Sequence, residues 1–292
     1  MGVVTARDVD VIVEFAPADG APIGTALADA SATAIVQGMP VRRFGSYAGM
    51  RHYPGWWWSS TNKDLVGYES LLERDRLLVA DFDPAVKGIA SQPFGITGLV
   101  SGSERRHVPD YLLVGTDDPT VVDVKPARLL DRPEVSEIME WTATVIAQRG
   151  WRYEIWSGED PRLLENLRLL AQGRRSQVDE EALCALRESG LVGLSLKATL
   201  ARAMRQGAAS PGLLRAALLR LLWLQEWVID LSVPLTHEAI ISQTRSQHEW
   251  RRTGRSGGFT PVVRRRCLDG VPPERGDRAA HRRRPVSDGR YR

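Results

Sequence analysis

The spacing of apolar residues along the chain changes period several times, and each change predicts an element. Residues 9–15 alternate apolar and polar positions and read as a strand. Small residues follow to Gly38, and residues 42–61 read as a loop rich in Gly, Arg and aromatics, with Trp56, Trp57 and Trp58 in a row. Asn62 or Asp64 is the expected cap of a helix whose Leu65, Tyr68, Leu71, Leu72 and Leu78 keep helical spacing, stopped by Asp81-Phe-Asp83-Pro84. Strand period then returns. Residues 86–100 offer a strand around the Gln92-Pro93 step, and Ser101-Gly102-Ser103 is a turn. Residues 107–114 and 120–124 are two further strands joined by Gly115-Thr-Asp-Asp-Pro119. Asp131 followed by Pro133 starts a helix that runs to Gly150. Residues 151–156 read as a strand and 161–174 as a helix. The expected order from residue 62 is α-β-β-β-α-β-α.

Beyond Gln177 the pattern is helical: a helix capped at Asp179 and ending at Gly190, a second over residues 196–206, and a Leu-rich third opened by Pro211. Residues 227–234 are expected to form a short hairpin or wing, and 236–242 a last helical turn. The domains expected are thus an N-terminal strand and aromatic, Arg-rich loop (1–61), an α/β core (62–175) and a small helical domain (176–250). A disordered tail (251–292), rich in Arg, Gly and Pro, completes them.

Composition narrows the function classes. At 292 residues with 43% hydrophobic and 26% charged side chains, the chain can bury a substantial core. Two cysteines, Cys184 and Cys267, are too few for a disulfide framework or a thiolate zinc site; Cys184 is expected to be a packed thiol. The most apolar run, 213–231, is broken by Arg215, Arg220 and Glu226, and Asp8, Asp10 and Glu14 do not suit a secretory signal, so a cytoplasmic protein is expected. The net charge of +3 hides a split: residues 251–292 carry 13 Arg against 4 acids, and residues 1–250 carry 26 basic against 32 acidic side chains. An acidic body does not coat DNA through a broad basic face. It would meet nucleic acid locally, with metal ions supplying the missing positive charge.

One segment concentrates candidate chemistry. In Val121-Val-Asp123-Val-Lys125 a carboxylate and an ammonium fall on one face of a strand, while Val122 and Val124 face the opposite core. Asp110 lies on the preceding strand, which pairs with this one through the Asp117-Asp118-Pro119 turn, and Glu69 falls in the expected helix before the sheet. Three carboxylates and one lysine can converge at one sheet edge. Carboxylate oxygens with the Val124 carbonyl suit Mg²⁺ or Mn²⁺, and such ions stabilise a scissile phosphate and activate water. The plainer alternative is a salt bridge in an ordinary α/β domain. Glu73 is expected to hold Arg74 or Arg76, and His107 to assist the carboxylates or to be structural. The three tryptophans read either as core packing or as a DNA or partner contact.

The words around these residues resemble the TnsA-type endonuclease subunits of heteromeric transposases, within the PD-(D/E)xK nuclease superfamily. They are Tyr68-Glu69-Ser70-Leu-Leu-Glu73-Arg74-Asp75, Asp81-Phe-Asp83-Pro84, Ser91-Gln92-Pro93-Phe94, His107-Val-Pro-Asp110-Tyr and Val122-Asp-Val-Lys-Pro126. The similarity spans about residues 40–175, and Asp230-Leu-Ser-Val-Pro234 is similar to that family's winged-helix region. The resemblance implies a restriction-endonuclease-like mixed sheet flanked by helices, with a small winged-helix-like C-terminal domain. It also implies Mg²⁺-dependent cutting (Mn²⁺ substituting) at the 5′ ends of a transposon in a bacterial cytoplasm. Glu69, Asp110 and Asp123 would be catalytic metal ligands and Lys125 the catalytic lysine, with Gln92 and His107 assisting. The partners implied are double-stranded transposon ends, a partner transposase and a regulatory ATPase, with no membrane. Two other functions stay open: a stand-alone restriction-type nuclease, and a catalytically silent transposase-assembly module.

Overall fold

The computed structural model describes residues 11–42, 53–100, 103–175, 177–207 and 209–244. The first elements are β1 (Ile12–Phe15), β2 (Ile23–Ala26), α1 (Ala32–Val36), β3 (Gly55–Ser59), β4 (Asp64–Tyr68) and α2 (Leu71–Phe82). Five strands follow: β5 (Val86–Ser91), β6 (Gly95–Val100), β7 (Ser103–His107), β8 (Tyr111–Gly115) and β9 (Thr120–Val124). Then come α3 (Pro133–Gln148), β10 (Arg152–Trp156), α4 (Pro161–Leu170), α5 (Glu180–Ser189), α6 (Leu196–Gln206) and α7 (Pro211–Trp223). The short strands β11 (Trp227–Val228) and β12 (Gln243–Thr244) close the described chain.

The fold is mixed α/β. One four-stranded sheet has the order β2-β1-β6-β7 and a second has β10-β9-β8-β5; β3–β4 and β11–β12 are separate two-stranded ribbons. In the second sheet β5, β8 and β9 are antiparallel neighbours, while β10 returns parallel to β9 after the crossover through α3. Both faces of this sheet are covered. Val121, Leu112 and Ala90 face a core shared with Val13, Phe94, Ile96, Ile146 and Trp151. Val122, Val124, Tyr111 and Ile89 face Leu77 of α2, with Val66 of the ribbon and Trp156. Burial on both faces explains why β8 and β9 read as near-continuous apolar runs, and it makes any charge on them costly.

Local chemistry sets the helix starts. Asp160, Asp179, Ser195 and Ser210 each cap the following helix through the side chain, and Pro161 and Pro211 occupy the first turn. Helix α3 also has Pro133 in its first turn, but its cap position is Arg132, which makes no side-chain cap bond. The helical region is not packed apart from the sheets: α4 to α7 share one core with Leu78 and Val79 of α2. Trp223 Nε1 donates to Ser60 Oγ (2.8 Å) and Gln225 Nε2 to the Phe82 carbonyl (2.8 Å), fastening the end of α7 to the ribbon turn and α2. No helix among the described residues is long and apolar enough to cross a membrane.

Several expected elements are corrected. Residues 55–59, read as loop, form β3, because consecutive tryptophans hide the alternation by which Trp57 and Ser59 turn inward. The helix expected from residue 62 or 64 begins at Leu71; residues 64–68 pair with β3 instead. Leu65 and Tyr68 fit helical spacing, but Gly67 is costly inside a helix, and Ser70-Leu-Leu-Glu73 is a capping box that sets the start. The strand expected over 86–100 is two strands in different sheets, parted at Gln92-Pro93, since proline cannot donate to a ladder. Residues 107–114 are likewise parted at Pro109-Asp110. Strand β11 pairs with β12 rather than within 227–234. Residues 236–242 form no helix; Ile240 bridges to Ser195. Cys184 is exposed, because the buried stripe of α5 runs through Ala182, Leu183, Ala185 and Leu186. The tail at 251–292 and part of the Arg-rich loop (43–52) lie outside the described residues.

Candidate active site

Asp110 sits in the step between β7 and β8, nearly buried, where Pro109 has ended one strand and the next begins. Its backbone N–H donates to the Val122 carbonyl (3.0 Å), and its Oδ2 accepts from the Val124 N–H (2.7 Å) and from Lys125 Nζ (3.5 Å). The carboxylate is thus tied to both sides of the β9 terminus. Lys125 follows β9 directly, and its backbone N–H donates to the Trp156 carbonyl (2.9 Å), so both flanking strands fix its Cα. Burial pushes the Asp110 carboxyl above its ordinary value; Lys125 opposes this and Asp123 adds to it. Burial works against the Lys125 charge, but Asp110 and Asp123 outweigh it and hold the ammonium above its ordinary range.

Asp123 is 0% exposed and looks the other way, toward the first sheet. His107, the last residue of β7, places Nε2 2.9 and 2.8 Å from the two carboxylate oxygens, and Tyr153 of β10 donates its hydroxyl to Oδ2 at 2.5 Å. An ionised carboxylate is acceptor-only, so Nε2 carries the proton in this arrangement. Burial and then the Asp123 charge raise the Tyr153 phenol far above its ordinary value, keeping it a donor.

Glu69 is not in a helix. It precedes the Ser70 cap of α2, is 36% exposed at its side chain and stands 3.7 Å from Arg42. Glu73, in the first turn of α2, lies near enough for its charge to bear on Asp110 and Lys125. Its two oxygens accept from the Glu69 N–H (2.8 Å) and the Ser70 hydroxyl (2.8 Å), while Ser70 Oγ accepts from the Glu73 N–H (3.1 Å). It holds neither arginine expected for it: Arg76 pairs with Glu154 (2.9 Å) and Arg74 with Asp75 (3.4 Å). Burial, followed by the negative charge of Asp110, raises the Glu73 carboxyl to about 7. Asp110 and Lys125 therefore meet directly, the charges of Glu73 and Asp123 bear on Asp110, and Glu69 stands at the rim. The Ser-x-x-Glu spacing was the available signal for Glu73, and it marks a cap as readily as a site. Ser70→Ala removes one side of the capping box and is expected to cost about 1 kcal/mol in chemical denaturation; a change too small to measure would mean that the cap contributes nothing.

Gln92 lies opposite Asp110. Its N–H donates to the Asp110 carbonyl (2.8 Å) and its carbonyl accepts from the Val41 N–H (3.0 Å). Its φ of 44° is in the left-handed region, which costs a non-glycine residue roughly 1–2 kcal/mol. The side chain is 2% exposed, and among the described residues neither amide atom has a hydrogen-bond partner. Backbone strain of this kind clusters at functional positions.

The donor chemistry fits a hard divalent cation in part. Among the described residues no three His, Cys, Asp or Glu side chains are grouped as a ready cation cage, and both Asp123 oxygens are taken up by His107. Mg²⁺, however, commonly uses one or two carboxylates and keeps several waters. Asp110 and Glu73 suit that pattern, being neighbouring carboxylates that burial holds above their ordinary values. The chain matches no family model and no curated protein, so its function is read from the arrangement of these side chains.

Proposed function

We propose that this protein is a Mg²⁺-dependent DNA endonuclease of restriction-endonuclease-like fold. It is the subunit of a bacterial heteromeric transposase that hydrolyses phosphodiester bonds at transposon 5′ ends, working in the cytoplasm with a partner transposase and a regulatory ATPase. The observation that carries the reading is Asp110 meeting Lys125, with the Glu73 charge bearing on both, where two buried strands end beneath the first turn of a helix. Charge is expensive there, and three titratable groups sharing such a place are a functional-site signature. The succession α2, the antiparallel strands β5, β8 and β9, crossover α3 and parallel β10 supports the same reading, as does α5–α6–α7–β11–β12 for a winged-helix-like end.

In this reading Asp110 and Glu73 hold the cation, with Glu69 at the outer edge. When bound, the cation supplies positive charge to the scissile phosphate and lowers the pKa of an attacking water. Asp110 is pre-oriented by the Val124 N–H, so it need not reorganise. Lys125 stays protonated and donates to a non-bridging phosphate oxygen or orients the water. Asp123, clamped by His107 and Tyr153, keeps the Lys125 charge in place and fixes the end of β9. Gln92 offers its buried amide beside Asp110.

The test is strand-specific nicking of transposon-end duplex in Mg²⁺ or Mn²⁺, with and without the partner transposase, comparing wild type with Asp110→Ala. Partner-dependent 5′ cleavage that disappears in the variant is expected. Cleavage without the partner would move the function to a stand-alone nuclease. Partner binding with no cleavage in either metal would leave an assembly module and sink the enzymatic reading.

A further inference from the structure

We propose that the outer face of the β3–β4 ribbon is a DNA-contacting surface, laying Trp56, Trp58 and Leu65 against the duplex whose phosphate enters the Asp110–Lys125 site. The inference rests on the nuclease reading and adds to it where the substrate lies.

The ribbon is a two-stranded sheet of its own. Its register sets Trp58 opposite Leu65 and Trp56 opposite Gly67. Trp57 and Ser59 point inward, where Trp57 Nε1 (2.9 Å) and Ser59 Oγ (2.8 Å) donate to Asp81. Strand alternation therefore sends Trp56 outward with Leu65, and Trp58, on the same face, is half-buried. Trp56 is 57% and Leu65 52% exposed, a concentration of apolar surface that marks an interaction site when it is contiguous.

Charge selects the occupant. Lys63 stands exposed at the ribbon tip. Arg174 is turned to the inner side, lying 4.3 Å over the inward Trp57 ring and donating to the Trp58 (3.1 Å) and Ala171 (2.7 Å) carbonyls, and it leaves Arg175 exposed beside it. Among the described residues neither Lys63 nor Arg175 has a carboxylate in ion-pair range, although residues 1–250 hold more acids than bases. Cations closer to the site are taken: Arg42 by Glu69, Arg74 and Arg168 by Asp75, and Arg76 by Glu154. Asp64, the one acid on the ribbon, turns its carboxylate to the Leu65 N–H (2.7 Å). Unpaired cations around outward aromatics are the footprint of a nucleic-acid surface, with the cations meeting phosphates and the indoles stacking without regard to sequence.

Position agrees. A two-stranded ribbon fits the major groove of B-DNA. Strand β4 leads directly into Glu69, Ser70 and the first turn of α2, and Tyr111, the residue after Asp110, donates its hydroxyl to the Gly67 carbonyl (3.3 Å). The ribbon is thereby pinned to the site it would serve.

The experiment is fluorescence anisotropy of a labelled duplex in EDTA over a salt series, with the wild type, Trp56→Ser/Leu65→Ser and Arg175→Gln. The double variant is expected to bind about tenfold more weakly with the salt slope unchanged; Arg175→Gln is expected to reduce that slope by about one. Equal thermal midpoints would confirm that these surface changes leave the fold intact, and Arg175→Gln reads the surface independently if the double variant does not fold. Wild-type affinity and slope in both variants would overturn the ribbon assignment. So would a double variant that keeps DNA binding but loses the partner transposase, since the face would then be a protein contact. Wild-type cleavage in Mg²⁺ with an unchanged KM in the variants would reject the ribbon alone. A wild type that neither binds nor cuts duplex would reject the nuclease reading along with it.

Discussion

Glu73→Gln is expected to make the metal-free protein more stable above neutral pH while removing its nuclease activity. The folded-state carboxyl is raised to about 7 from an ordinary 4.5, by burial first and Asp110 second. Between those values the native state holds a proton that the unfolded chain has released, so stability falls as pH rises from 4.5 to 7. Contributions from this group are complete below pH 4.5 and lost above pH 7. The difference corresponds to about 3 kcal/mol at pH 8 and nothing at pH 4. Glutamine mimics the protonated form: its oxygen accepts the Glu69 N–H and its amide nitrogen donates to Ser70 Oγ, so the cap survives. Chemical denaturation in EDTA at pH 8 and pH 4 reads the stability arm. Nicking in Mg²⁺ reads the other arm, where a loss of roughly 10²–10³-fold is expected for a residue at the reacting phosphate. A variant that is stabilised yet cuts normally would return Glu73 to the helix cap alone.

Asp81→Ala is expected to destabilise the fold by about 3–5 kcal/mol, since hydrogen bonds to a charged acceptor are each worth about 1.5–3 kcal/mol and several are lost at once. The carboxylate sits near the end of α2, nearly buried. It accepts from Trp57 Nε1 (2.9 Å), Ser59 Oγ (2.8 Å), the Ser60 N–H (3.1 Å), Ser60 Oγ (3.2 Å) and the Thr61 N–H (2.8 Å). It is the anchor of the β3–β4 turn, and Ser60 in turn accepts from Trp223 of α7. Removing it strands donors in a place where water enters poorly. A thermal midpoint lower by about 10 °C and a shifted tryptophan emission should accompany the loss. A change below about 1 kcal/mol would show that the turn holds itself. Asp81→Asn should fall between, because the amide keeps one acceptor and introduces a donor facing donors.

The site strands were legible because their logic is local. Period two, a four-residue turn and Pro109 bring Asp110, Asp123 and Lys125 to the ends of neighbouring strands without any distant contact. The same holds for the helices opened by Asp160-Pro161, Asp179 and Ser210-Pro211, where a cap and a proline act within one turn. Less local signals misled. The spacing of Leu65, Tyr68 and Leu71 suits a helix as well as a strand passing into one, so Glu69 was expected inside α2 and Glu73 was given to an arginine. Three adjacent tryptophans show no alternation in hydrophobicity, which concealed β3. Residues 86–100 and 107–114 each read as one strand; Pro93 and Pro109 mark where they part, but nothing local says that β5 and β8 belong to one sheet and β6 and β7 to another.

What the sequence determined by itself is the mixed α/β character, the starts of the helices opened by Asp160, Asp179 and Ser210, and the pairing that sets Asp110 beside Lys125, all set by steric and hydrogen-bonding rules acting over a few residues. Only the tertiary structure decided that the Glu73 charge bears on Asp110, that Asp123 is closed off by His107 and Tyr153 from two different sheets, that the Gln92 amide is buried without a partner among the described residues, and that the ribbon turns Trp56 outward. Those outcomes depend on burial and on charges brought together across long stretches of chain, and desolvation and Coulomb energy have no value until the fold has fixed the distances.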